Sequence, residues 1–123
     1  MISDMNEEQL AGVMDVLPLE MAFIDADDNV RFWNRVDSRG PAWQSSQLGK
    51  PVTACHKEQS RLAVNAVIDK LRSGKHDVID RTVTSNGRTS RLRWFAVRSA
   101  SGEYLGTLEV VQRDDEVAGK PLS

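Results

Sequence analysis

Leu10, Val13, Met14 and Leu17 recur at i, i+3, i+4 and i+7, the spacing that lays one apolar stripe along a helix. Asn6 supplies an N-cap for it, Gln9 stands at the reciprocal position, and Glu7 and Glu8 suit the positive helix end. Pro18 stops the pattern. Two short runs rich in aromatic and aliphatic residues follow, Met21 to Asp25 and Val30 to Asn34. The polar cluster Asp25-Ala26-Asp27-Asp28-Asn29 between them reads as a hairpin turn. From Arg35 to Pro51 no period is sustained, and Gly40-Pro41 and Gly49 interrupt it, so short helical turns and loop are predicted. A second helix is predicted with Ser60 as its cap. Val64, Val67, Ile68 and Leu71 line one face, Lys70 and Arg72 lie near the negative end, and Gly74 is the stop. Val78 to Thr84 and Thr89 to Arg98 then read as strands joined at Asn86-Gly87, a pair suited to positive φ at both central turn positions. Ser101-Gly102 turns the chain into a last strand, Tyr104 to Gln112.

This order predicts an α+β fold: a five-stranded antiparallel sheet with helices gathered on one face and an N-terminal amphipathic helix. The expected division is a helix over 1–17 serving dimerisation or output, a domain over 18–113, and a flexible tail over 114–123. Both parities of the strand through Trp94 are apolar, with Leu92, Trp94 and Ala96 on one side and Phe95 and Val97 on the other, so both sheet faces call for cover. The chain of 123 residues is large enough to bury a core without a staple, and its single cysteine forms no internal disulfide. With no apolar stretch of about 20 residues to span a bilayer, the expectation is a cytoplasmic protein without membrane association. A formal net charge of −2 argues against a broad phosphate-binding surface, and no nucleic-acid partner is expected.

Particular segments carry a resemblance. Leu17-Pro18-Leu19-Glu20 precedes Phe23-Ile24-Asp25-Ala26-Asp27-Asp28 and Val30-Arg31-Phe32-Trp33-Asn34. Leu48-Gly49-Lys50-Pro51 with Cys55-His56 comes next, then Ala96-Val97-Arg98 and Gly102-Glu103-Tyr104-Leu105-Gly106-Thr107-Leu108-Glu109-Val110-Val111-Gln112. Over about Leu17 to Gln112 the chain resembles a PAS domain, a small sensory fold whose curved sheet and helices enclose a ligand pocket. It looks most like the PAS domains that follow hemerythrin-like regions in bacterial and archaeal proteins of undefined function. One departure is Lys57, where the family usually has a proline after its Cys-His pair.

The resemblance implies a pocket between sheet and helices, and haem as its sharpest cofactor expectation. His56 would be the axial metal ligand, since imidazole holds haem iron well. The alternative is that His56 satisfies backbone groups at a loop-to-helix junction. Cys55 could ligate or react, but side chains of consecutive residues diverge, so a small buried hydrophobe is the plainer role. Glu109, inside an apolar strand, either faces the cavity towards His56 or an arginine, or lies on the outer face with Arg91 or Arg93 across the ladder. Trp94, Phe32, Val64 and Ile68 complete the candidate cofactor-binding set, and each also reads as plain core. Trp33 and Trp43 could cap the irregular segment, and His76 reads as solvent-facing at a helix end. Asp25, Asp27 and Asn29 do not make a calcium loop, because Val30 and Val36 stand where glycine and glutamate are required. Arg88, Arg91, Arg93 and Arg98 are read as arginines of an exposed sheet face.

The functional expectation is a sensory module that binds a small ligand or cofactor and relays its state to a signalling partner, acting as a homodimer through Leu10, Val13, Met14 and Leu17. A ligand-free interaction domain is the alternative. No nucleophile-base pattern, phosphate loop or metal spacing marks an enzyme.

Overall fold

In a computed structural model, described for residues 1–34, 49–51 and 58–113, a helix α1 (Glu7–Val16) leads into strands β1 (Glu20–Asp25) and β2 (Val30–Trp33). Helix α2 (Glu58–Arg72) and strands β3 (Val78–Ser85), β4 (Arg88–Arg98) and β5 (Tyr104–Arg113) follow. All five strands form one antiparallel sheet in the order β2-β1-β5-β4-β3. The α+β, five-stranded expectation therefore holds.

Local chemistry sets the boundaries. The Asn6 side chain accepts from Gln9 N at 2.7 Å and Gln9 Oε1 accepts from Asn6 N at 3.0 Å, the expected capping box. The helix ends before Leu17, whose extended backbone suits the residue ahead of a proline. Asp25 organises the β1–β2 turn. Its Oδ1 accepts from the backbone N–H groups of Asp27 (2.9 Å) and Asn29 (3.0 Å), and its Oδ2 accepts from Arg31 Nε at 2.6 Å. Burial pushes the Asp25 carboxyl up, but the Arg31 and backbone hydrogen bonds outweigh it and hold the group below its ordinary range. At the β3–β4 turn Asn86 and Gly87 both take positive φ, 52° and 74°, as their sequence predicts.

One boundary departs from expectation. Ser60 lies inside α2, which starts at Glu58: Glu58 and Gln59 are good helix formers, and an acidic residue is favoured at the positive helix end. The segment Gly49-Lys50-Pro51 returns to the edge of β2, where Lys50 O accepts from Val30 N (2.9 Å) and Val30 O from Gly49 N (2.7 Å). The predicted helical turns within 35–48, and with them Trp43, lie outside the described residues, as do Cys55, His56 and the 114–123 tail.

Strand alternation assigns two faces. The inner face carries Ala22, Ile24, Val30 and Trp33, which pack with Ile68 of α2 into the core cluster, Val64 lying against it. Leu71, Ile68 and Val67 of α2 are buried, so its predicted stripe does face the sheet. At its last turn, Arg72 donates to Ala26 O and pairs with Asp28 of the β1–β2 turn, and Arg98 donates to Leu71 O at 2.7 Å. Both guanidiniums stack on Tyr104, 5.4 and 5.8 Å from its ring centre. The outer face carries Met21, Phe23, Phe32, Val110, Leu108, Phe95 and Val97 in register.

Phe32, expected among the pocket residues, is thereby corrected. Its neighbour Trp33 belongs to the inner cluster, and adjacent strand residues point oppositely, so Phe32 stands outside, opposite Phe23. Helix α1 buries none of its residues, and Val13 is 45% exposed.

Candidate functional site

The two halves of the inner face differ. Under β1 and β2 it is filled by the core cluster, whereas a groove of about 360 Å³ opens between α2 and strands β3, β4 and β5. Ala63, Val64 and Val67 form its helical wall. Arg81 and Val83 of β3, Leu92 and Trp94 of β4, and Glu109 of β5 form the sheet side. Register explains the set. Ile79, Trp94, Glu109, Ala22 and Trp33 stand in one cross-strand row, and Arg81, Leu92, Val111 and Glu20 in the next. Ala63, small and exposed, adds little bulk to the helical wall.

Glu109 is the chemical centre of this groove. It is 8% exposed, and its Oε2 accepts from Trp94 Nε1 at 3.1 Å. The open question of its face is thus answered: it looks towards α2, while Arg93 pairs with Val110 on the opposite parity. Neither arginine weighed as its partner is available. Arg91 forms a two-point bond to Asp80 (3.2 and 2.7 Å), and Arg93 donates to Gln112 Oε1 at 2.6 Å. Glu20, the other buried carboxylate of this face, is treated differently. Both its oxygens accept from Arg113, at 3.2 and 3.1 Å. Burying a carboxylate is expensive unless it is answered, and among the described residues Glu109 meets only a neutral indole N–H.

Of the candidate residues, the structure brings Glu109, Trp94 and Val64 together in the groove and puts Ile68 beside it in the core. Cys55 and His56 are outside the described residues, so their place relative to the groove is not among these observations. His76 is exposed after α2. Sequence reading missed Arg81, Val83, Ala63 and the lining role of Val67 and Leu92. Counting outward from the Asn86-Gly87 turn sets Arg81 opposite Leu92, which shares the parity of Trp94, so the register held the signal.

The family model described as PAS domain matches residues 10–113. The chain belongs to the PAS domain family. No curated protein matches it. Among solved structures, this PAS domain is similar to a C-terminal domain from Streptococcus mutans. Identity is 31%, the TM-score is 0.76, and 88% of this chain and 84% of the other are covered. It is also similar to a sensory box sensor histidine kinase from Vibrio cholerae, at 14% identity and TM-score 0.66, over 85% and 87% of the two chains. The Aer2 receptor from the same organism, described as a dual PAS-haem oxygen sensor, matches at 14% identity and TM-score 0.53, over 78% and 94%. These last two share the fold. PAS domains are generally sensory or signalling modules. No described helix of this PAS domain is long and apolar enough to cross a membrane.

Proposed function

We propose that this PAS domain is a sensory module whose α2–sheet groove takes a small, largely apolar ligand and whose α1 relays occupancy to a partner. The observation that carries this reading is the groove itself: about 360 Å³, within the roughly 300–1,000 Å³ of ligand pockets, mostly aliphatic and aromatic, with one buried carboxylate. Relay requires that the ligand bind two states unequally, and α1, with no buried residue, is the element freest to exchange partners. Its stripe of Leu10, Val13, Met14 and Leu17 supports a homodimer through the same helix, which is the second part of the proposal.

Haem is the occupant the family resemblance suggests. Among the described lining residues none carries imidazole, thiolate, thioether or phenol, the groups that hold haem iron. A haem here would therefore depend on a ligand from outside this lining, His56 first and Cys55 second. Native mass spectrometry and an absorption spectrum of the purified protein test the proposal together. A copurifying small molecule that is lost when Ala63→Phe fills the groove is the expected result. A Soret band abolished in His56→Ala would make the occupant haem. Protein that carries nothing, and gains no thermal stability from any member of a small-molecule library, would favour a ligand-free interaction domain.

A further inference from the structure

The groove carries two ionisable side chains of opposite kind at opposite ends. Glu109 stands in β5 opposite Trp94, and Arg81 stands in β3 opposite Leu92, two strands away and one side-chain step along. Strand spacings put their backbones roughly 12 Å apart, with Leu92 and Trp94 between them. Neither has a partner of opposite charge among the described residues. Glu109 spends Oε2 on the Trp94 indole and leaves Oε1 without a partner among the described residues, although the residue is more than nine-tenths buried. Glu20 on the same face shows how this fold satisfies a buried carboxylate when the protein itself does so, by a two-point arginine.

From this contrast we infer that the ligand of the groove is a flat apolar molecule bearing one protonated nitrogen, which donates to Glu109 Oε1. The inference rests on the groove being a ligand site, as proposed above. Trp94 suits both parts of such a molecule, because its ring packs on flat apolar bodies and its negative face favours a cation. Leu92, Val64, Val67 and Val83 receive the apolar body. Arg81 restricts the class further: a second positive centre at that end would be repelled, so a polyamine is excluded, while a hydrogen-bond acceptor there is welcome.

Three probes with one indole body decide it: tryptamine, neutral 3-ethylindole and the anion indole-3-propionate. Each is titrated into the full 123-residue chain at constant ionic strength. The readout is the Trp94 indole N–H resonance, assigned by its loss in Trp94→Phe. The expected result is tryptamine binding at least ten-fold tighter than the other two, with that preference falling to within about two-fold in Glu109→Gln. If 3-ethylindole binds as tightly as tryptamine, or the anion binds best, the nitrogen assignment is overturned while the groove stands as a ligand site. If none of the three moves the Trp94 resonance, the groove's role as a site for such ligands is overturned with it. The comparison on the unaltered chain remains decisive even if Glu109→Gln does not fold.

Discussion

The amide of Asn34 joins three pieces of chain. Fully buried, it accepts from Met21 N at 2.6 Å and donates to Met14 O at 2.7 Å and Leu19 O at 3.0 Å, so it ties the last turn of α1 to the start of β1. Asn34→Ala would orphan these buried groups, and a loss on the order of 3 kcal/mol is expected, read as a lower denaturation midpoint at unchanged slope. Gly106 is constrained by space instead. At φ 154° a Cβ there would lie 2.2 Å from Ile24 O and 2.6 Å from Phe23 Cζ, so Gly106→Ala is expected to cost about 3 kcal/mol in the same measurement. Asp25 gives a pH dependence. Its folded pKa lies below the ordinary 3.8, so its contribution is complete above about pH 5 and is lost as pH falls through the folded value. Asp25→Asn should lower stability at pH 7 and flatten the acid limb of a stability-against-pH curve. That Asn34 ends an apolar run is plain in the sequence, but the three atoms it bonds are not. They become neighbours only when α1, β1 and β2 are assembled. Glu109 was ambiguous for the same reason: one strand read alone fixes which residues share a face, not which face meets the helix.

Among the elements, the two helices show how far periodicity reaches. The stripe of α2 was visible at 3.6-residue spacing and does bury Val67, Ile68 and Leu71. The stripe of α1 has the same spacing but fully buries none of its residues, leaving Leu10, Met14 and Leu17 half-buried and Val13 exposed, because a pattern states what a helix can cover and not what lies opposite it. Replacing Leu10 and Val13 together with aspartate should give a monomer of unchanged fold, measured by light scattering and circular dichroism. A dimer of unaltered mass would place the contact elsewhere. Helix ends were less exact. Ser60 had the chemistry of a cap, yet α2 begins at Glu58, since capping preference is worth only about 1 kcal/mol and yields to neighbours that extend the helix. The bulge between Phe23 and Ile24 is similarly absent from any pattern, and it is what lets Val30 and Trp33 share the inner face.

Across the fold as assembled, the five-stranded antiparallel sheet and its hairpins followed from the run of elements and the turn residues, but the pairing of β1 with β5 that sets the strand order did not. The groove did not follow either, because it arises where α2 presents Ala63, Val64 and Val67 to three strands whose side-by-side placement no single segment states. Its position has one further consequence. Core and groove occupy separate halves of the same sheet face: Ala22, Ile24, Val30, Trp33 and Ile68 on one side, Arg81, Val83 and Leu92 on the other. Selection can therefore act on them almost independently. The β3–β4 hairpin is free to drift, exchanging Val83, Leu92 or Arg81 for other side chains and so acquiring new chemical preferences, while the β1–β2 half keeps the domain above the threshold at which it folds.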